Sequence, residues 1–118
     1  MSTPSTQELA AKHGINAAIE LFHRRWTLRI LWELREGPVT FRALQTACSE
    51  LSSSVLNVRL AELRDAQLVQ HAAGAGYALT DWGVELLQAM RPMMKWAVRW
   101  HTHTAAMSAT ADQSRTQQ

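Results

Sequence analysis

The residues able to perform acid–base or metal chemistry are five histidines and a single cysteine, Cys48, in a chain of 118 residues. His101 and His103 are two positions apart, so on a helix they point to different sides and form a poor metal chelate. The sequence contains no Ser-His-Asp arrangement, no convergent pair of carboxylates and no glycine-rich phosphate loop. It therefore predicts no enzyme, no catalytic residue, no bound metal and no cofactor.

A second group of side chains suits recognition rather than catalysis. Small polar residues cluster at Ser52, Ser53, Ser54 and Asn57. Hydroxyls permit close approach to a surface, and an asparagine amide can pair with an adenine edge through two hydrogen bonds. The alternative interpretation is a plain serine-rich helix start with solvated side chains.

The basic residues are almost all arginines, since twelve basic residues include only two lysines, and the formal net charge is +2. Arginine contacts phosphate or guanine through two hydrogen bonds, whereas a GC-rich genome explains the same composition through codon usage. Arg24, Arg25 and Arg42 are candidates for phosphate contacts or are simply solubilising residues. Arg59 is predicted either to contact DNA or to pair with Glu62.

Hydrophobic periodicity predicts the elements that must position these residues. Helices are expected over 7–21 and 25–35, followed by a short helix capped by Thr40 and another that Ser52 opens. The turn 48–51 between the last two is typical of a helix-turn-helix. Two short strands, 68–71 and 76–80, form a hairpin, and a long helix begins at Asp81 and ends near His103. The predicted fold class is mainly α with a small β-hairpin wing, a winged helix-turn-helix.

The order and spacing of several short motifs over residues 13–100 resemble those of HxlR-type regulators. The motifs are Arg25-Trp26 with Ile30-Leu31, Gly37-Pro38 with Phe41 and Leu44, Leu51-Ser52 with Leu56 and Arg59-Leu60, and Leu68-Val69 with Tyr77, Leu79-Thr80 and Gly83. The resemblance implies a bacterial, dimeric winged helix that controls transcription.

Three positions depart from the family's pattern. His13 stands where many members have a redox-active cysteine, Thr40 stands where an arginine is usual, and His71 lies in a shortened hairpin where an arginine is common. Besides the candidate Arg24, the predicted DNA contacts are Ser52, Ser53, Ser54, Asn57, Arg59, Arg25, Arg42, Thr40 and His71.

The last helix carries two apolar stripes, although a helix in a monomer needs only one. One stripe is Leu86, Leu87, Met90, Met94 and Ala97, and the other is Ala89, Met93, Trp96 and Trp100. We expect the second stripe, with Ile15 of the first helix, to form a homodimer interface; the alternative is a helix wedged within its own domain.

An unknown small-molecule effector is expected between the first and last helices, near Met93 and Trp96, unless these residues serve only the interface. Pro92 is predicted to kink this helix.

The chain is long enough for one domain. We expect a disordered tail at 1–6, a winged helix-turn-helix domain at 7–105 with dimerising first and last helices, and a disordered tail at 106–118. No apolar run reaches the ~18 residues that cross a bilayer, and the N-terminus lacks a signal core, so a cytoplasmic protein without membrane contact is predicted. Cys48 is predicted to be buried and inert, because a helix C-terminus raises a thiol pKa.

The predicted function is a sequence-specific regulator, more often a repressor, that binds a double-stranded DNA operator as a homodimer. The alternative is a winged-helix protein-interaction adaptor with little DNA affinity. The short hairpin and Thr40 motivate that alternative.

Overall fold

The computed structural model describes Thr3 and residues 5–116. Its elements are α1 Thr6–His23, α2 Thr27–Glu33, α3 Phe41–Ala47, α4 Ser53–Asp65, β1 Val69–Ala72, β2 Gly76–Leu79 and α5 Asp81–Thr116. The predicted fold class is confirmed, because a two-stranded hairpin directly follows a pair of helices joined by a short turn. The chain forms two compact units, of which the first ends at Val84 and the second begins at Glu85.

The core of the first unit is aliphatic. Leu56, Leu60 and Leu63 of α4, the predicted stripe, are all buried. They are joined in the core by the buried side chains of Ile30, Leu31, Leu34, Leu44 and Val69. Helix α2 contacts α3, and α4 contacts β1. Each fully buried leucine or isoleucine contributes about 1.5–3 kcal/mol, so these side chains fix the orientation of α3 and α4.

Both helices of the helix-turn-helix begin at the predicted capping residue. The Thr40 hydroxyl accepts a hydrogen bond from the Ala43 amide at 3.2 Å, and the Ser52 hydroxyl accepts one from the Val55 amide at 3.3 Å. Each cap satisfies an amide that has no partner within its helix. The starts of α3 and α4 are therefore fixed locally.

Helix α1 begins earlier than predicted. Ser5 and Glu8 form a capping box, in which the Ser5 hydroxyl accepts from the Glu8 amide and the Glu8 carboxylate accepts from the Ser5 amide, both at 3.1 Å. Part of the tail predicted at 1–6 is thus ordered, whereas residues 1, 2 and 4 lie outside the described residues. No residue of α1 is buried, and Ile15 and Ile19 are each 58% exposed. The apolar face of α1 is uncovered in a single chain.

The hairpin pairs antiparallel, with Val69 opposite Leu79 and Ala72 opposite Gly76. Val39 pairs with the edge of β2 that does not face β1. Its amide donates to the Tyr77 carbonyl at 2.9 Å, and the Tyr77 amide donates to the Val39 carbonyl at 2.8 Å. Gly76 has φ +100°, and a Cβ there would overlap the Val39 carbonyl oxygen. A glycine is therefore required where the hairpin meets this third short segment.

Helix α5 continues through Pro92 to Thr116 instead of ending near His103. Residues 106–116, which we expected to be disordered, are helical; 117 and 118 lie outside the described residues. Alanine-rich sequence without glycine or proline after Pro92 accounts for the difference, since alanine is the strongest helix former.

The two stripes of α5 differ in exposure. Leu87 and Met90 of the first stripe are buried, whereas Met93, Trp96 and Trp100 of the second are 51%, 52% and 54% exposed. The Trp96 and Trp100 rings stack with centroids 5.6 Å apart and planes 8° from parallel. One large apolar stripe is therefore open to solvent in a single chain. Within the described residues, no helix combines the length and apolarity needed to span a membrane.

Candidate nucleic-acid interface

The turn between α3 and α4 is set by two left-handed residues. Ser49 and Glu50 have φ values of 59° and 57°, and the Leu51 amide donates to the Gln45 carbonyl at 3.3 Å. Two successive residues of this kind end α3 abruptly, at a cost of roughly 1–2 kcal/mol each. Helix α4 then starts at once, with its first turn exposed.

The first turn of α4 presents small polar side chains on the side opposite its core stripe. Ser53, Ser54 and Asn57 are exposed, whereas Leu56 between them is fully buried. The Gln45 amide of α3 donates to the Ser53 hydroxyl at 3.1 Å, so the two helices are joined at this point. Ser52 is 3.5 Å from the Ser54 hydroxyl and also caps the helix. Asn57 and Ser54 are left as exposed hydrogen-bonding groups near the capped start of α4.

Arg59 links α4 to the residues that precede α2. Its Nη1 donates to both carboxylate oxygens of Glu62, at 2.9 and 3.1 Å, and its Nε donates to the Arg25 carbonyl at 2.9 Å. Arg24 reaches the same Glu62 carboxylate at 2.6 Å. The pairing of Arg59 with Glu62, one of the two predicted alternatives, is present. A contact of Arg59 with DNA stays a prediction.

Arg25 and Arg42 are both exposed. The Arg25 guanidinium lies 5.4 Å from the centre of the Trp26 ring, and Arg42 is in the first turn of α3. Among the residues that the structure describes, no carboxylate pairs with either guanidinium. Both charges are therefore available to an external anion.

The hairpin offers little positive charge. His71 is exposed, and its ring packs against Tyr77 with centroids 4.5 Å apart. The loop between the strands consists of Ala73, Gly74 and Ala75. The Thr40 hydroxyl is engaged as a cap. Contacts of Thr40 and His71 with DNA stay predictions.

Sequence reasoning missed two residues that hold this surface in shape. Thr80 donates to the Gln67 carbonyl at 2.6 Å and accepts from the Gly83 amide at 3.1 Å, so it fixes the start of α5 against the hairpin. A threonine directly before Asp81 is an N-cap signal that was open to detection. Gln45, which reaches Ser53, carries no such local signal.

Cys48 is buried with no exposed surface, as predicted. Burial raises the pKa of the Cys48 thiol, the nearby Glu33 carboxylate raises it further, and Arg29 opposes the shift. The thiol form is therefore favoured beside the helix-turn-helix turn.

The known proteins that this chain resembles are helix-turn-helix transcriptional regulators. Residues 21–105 match the family model described as HxlR-like helix-turn-helix. The chain is 33% identical over 81 residues to an HTH-type transcriptional regulator of Methanocaldococcus jannaschii, covering 65% of this chain and 76% of that protein. It is 30% identical over 89 residues to the HTH-type transcriptional regulator YvaP of Bacillus subtilis, covering 70% and 82%.

Solved structures show the same similarity. Quinone-bound YodB from B. subtilis superposes with a TM-score of 0.67 and 28% identity, covering 73% of this chain and 96% of YodB. A possible HxlR family transcriptional factor from Thermoplasma volcanium has a TM-score of 0.64 over 71% of this chain and 81% of its own; at 24% identity this similarity concerns the fold alone.

Proposed function

Since the chain belongs to the HxlR-like helix-turn-helix family and is a transcriptional regulator rather than an enzyme, we propose that it binds operator DNA as a homodimer and represses transcription. The observation that carries the DNA-binding part is the first turn of α4. There, Ser53, Ser54 and Asn57 are exposed on a helix whose other side is locked into the core by Leu56.

In this proposal α4 enters the major groove with its N-terminal end, as recognition helices do. Asn57 pairs with a base edge, and the Ser53 and Ser54 hydroxyls complete the reading surface. Arg25 and Arg42 contact phosphates, because their charges have no carboxylate partner within the described part of the chain. Ser52, Thr40 and His71 contribute at the edges of the surface.

Arg59 has a different part in the proposal. It is already bonded to Glu62 and to the Arg25 carbonyl, so it positions α4 relative to Arg25. If Arg59 kept its bonds to Glu62 and to the Arg25 carbonyl while it contacted DNA, only its remaining N–H groups would be able to donate to the DNA.

The dimer is supported by two uncovered apolar surfaces. Helix α1 has no buried side chain, and Ile15 on it is 58% exposed. On α5, Met93, Trp96 and Trp100 expose about half of their surfaces each, with Ala89 on the same side. Soluble monomers rarely leave a contiguous apolar stripe of this kind open. A second copy that covers it brings two copies of α4 into one dimer, and the bound dimer then occludes polymerase.

A small-molecule effector near Met93 and Trp96 remains part of the proposal. One solved structure of YodB is quinone-bound. In this chain His13 cannot form a disulfide and Cys48 is buried, so we expect an effector to act without thiol chemistry.

The test is selection of a binding site from random DNA, followed by affinity measurements with variants. Asn57→Ala should weaken binding to the selected site by about 1–3 kcal/mol and leave binding to random DNA nearly unchanged. Arg42→Ala should weaken both to a similar extent, since a phosphate contact reads no sequence. A selected site that is not a pseudo-palindrome with half-sites ~34–36 Å apart would contradict the dimeric arrangement.

The adaptor is the second candidate function, favoured by the uncharged loop at Ala73, Gly74 and Ala75. It predicts no enrichment of any DNA sequence in the selection. It also predicts that whatever DNA binding occurs is unaffected by Asn57→Ala.

A further inference from the structure

A shallow cavity of about 310 Å³, largely open to solvent, lies at the α1–α2 elbow, defined as residues 22–29. Phe22 and Trp26 line it together with three arginines, and His23 and Leu28 complete the lining; the arginines are Arg24, Arg25 and Arg29. Its volume is at the lower end of the range for small-molecule sites, which suits a ligand with a single ring. Aromatic walls and guanidinium groups in one small space indicate an anionic, aromatic ligand.

The charges around this cavity are not balanced. Arg24 is paired with Glu62, and Arg29 is paired with Glu33 at 2.9 Å. Arg25 has no carboxylate partner among the described residues, and its guanidinium lies against the Trp26 ring. One guanidinium at the cavity is thus free to bind an anion while its neighbours are already engaged.

We propose that the elbow cavity binds a small aromatic carboxylate, with the carboxylate on the Arg25 guanidinium and the ring against Phe22 and Trp26. A guanidinium and a carboxylate pair through two parallel hydrogen bonds, which gives the contact both strength and direction. The aromatic walls accept a ring in stacked or edge-to-face contact. This site lies wholly within the first unit, and none of its lining residues belongs to the proposed effector position at Met93 and Trp96.

The cavity is joined to the recognition helix. The Arg25 carbonyl accepts a hydrogen bond from Arg59 Nε of α4 at 2.9 Å, and Arg24 shares Glu62 with Arg59. If Arg25 contacts phosphate, as in the proposed function on which this step rests, a bound carboxylate removes that contact. Ligand and DNA then weaken each other's binding by the same factor.

The test uses the full chain without DNA and titrates it with benzoate, benzamide and acetate. Binding is followed by calorimetry and by the NMR signals of the five tryptophan indole N–H groups, of which only Trp26 lines the cavity. The Trp26 signal is assigned from the spectrum of Trp26→Phe. Benzoate binding should reach saturation and should shift the Trp26 signal. Benzamide lacks the charge and acetate lacks the ring, so neither should bind to saturation or shift this signal at the same concentrations.

Matched variants test the residue assignment. Arg25→Gln should weaken benzoate binding at least about tenfold, since it removes a charge-assisted pair. Arg64→Gln removes one exposed arginine outside the cavity and should leave benzoate affinity unchanged. Absence of saturation, equal binding of benzamide, or no loss in Arg25→Gln would overturn the proposal. Acetate binding as tightly as benzoate would show an adventitious ion only and would overturn it equally.

A separate arm measures binding to the selected DNA without ligand and then with benzoate. Loss of DNA affinity on addition of benzoate, absent in Arg25→Gln, is the expected result. Benzoate binding by a chain that binds no DNA would overturn the proposed function and leave the site intact. DNA binding by a chain that does not bind benzoate would overturn the proposed ligand site and leave the proposed function intact.

Discussion

Glu62→Gln perturbs the ion network that joins α4 to the α1–α2 elbow. The Glu62 side chain is 22% exposed and accepts hydrogen bonds from Arg59, whose side chain is 23% exposed, at 2.9 and 3.1 Å. It also pairs with Arg24, whose side chain is 49% exposed. Glutamine has nearly the same shape and retains an acceptor oxygen, so the substitution removes the charge with little change in packing.

The two contacts differ in expected size. Hydrogen bonds to a charged group in partly buried surroundings contribute about 1.5–3 kcal/mol, and the Arg59 contact belongs to this class. The Arg24 contact is half exposed and contributes about 0.2–1 kcal/mol. Because the glutamine oxygen still accepts one hydrogen bond, we expect a net loss of about 1–2 kcal/mol in the free energy of unfolding.

The assay is urea unfolding followed by circular dichroism at one fixed protein concentration, since association would otherwise shift the midpoint. The matched control is Glu36→Gln. Glu36 is 85% exposed and 3.8 Å from Arg35, so its replacement should change stability by less than about 0.5 kcal/mol. If Glu62→Gln is no more destabilising than this control, the network does not hold α4 and the reasoning is refuted.

Three further predictions concern the thiol, the hairpin and the dimer. Burial raises the pKa of Cys48, so iodoacetamide should label it slowly at neutral pH. The stability that the buried thiol contributes is present below the pKa of the unfolded thiol and is lost as pH rises through the raised pKa of the folded state, so Cys48→Ala should reduce this fall in urea unfolding. Gly76→Ala should lower thermal stability more than Gly74→Ala, because both have positive φ but only Gly76 has a backbone carbonyl in the path of the Cβ; equal losses would rule out the clash. Replacing Trp96 and Trp100 by serine should shift sedimentation from dimer to monomer, as each buried aromatic is worth roughly 1.5–3 kcal/mol; unchanged sedimentation would exclude this stripe as the interface.

The features that sequence predicted correctly are those with local causes. Thr40 and Ser52 cap their helices through amides three residues away, and the spacing of Leu56, Leu60 and Leu63 selects one face of α4 for burial. Each depends on a short stretch of chain, so a short pattern contains the information. The order of these elements was enough to predict the winged helix-turn-helix.

The missed features depend on partners distant in sequence or on weak signals. The Val39 pairing with Tyr77 and the Arg59 bond to the Arg25 carbonyl join residues far apart in the chain, and no periodicity encodes either. The helix beyond His103 was missed because its residues carry no apolar stripe, and helix propensity alone is a weak guide. The DNA contacts remain predictions, since exposure of Asn57 shows accessibility and not a partner.

The absence of buried side chains in α1 has a consequence for the life of the protein in a cell. Most helical stability in proteins comes from tertiary packing of an apolar face, so in the proposed dimer α1 gains much of its stability from the second subunit. At low concentration the helix would then unfold readily and be accessible to proteases. Newly made chains would be degraded until enough accumulate to pair. Such a threshold would make the abundance of the regulator rise steeply with its rate of synthesis.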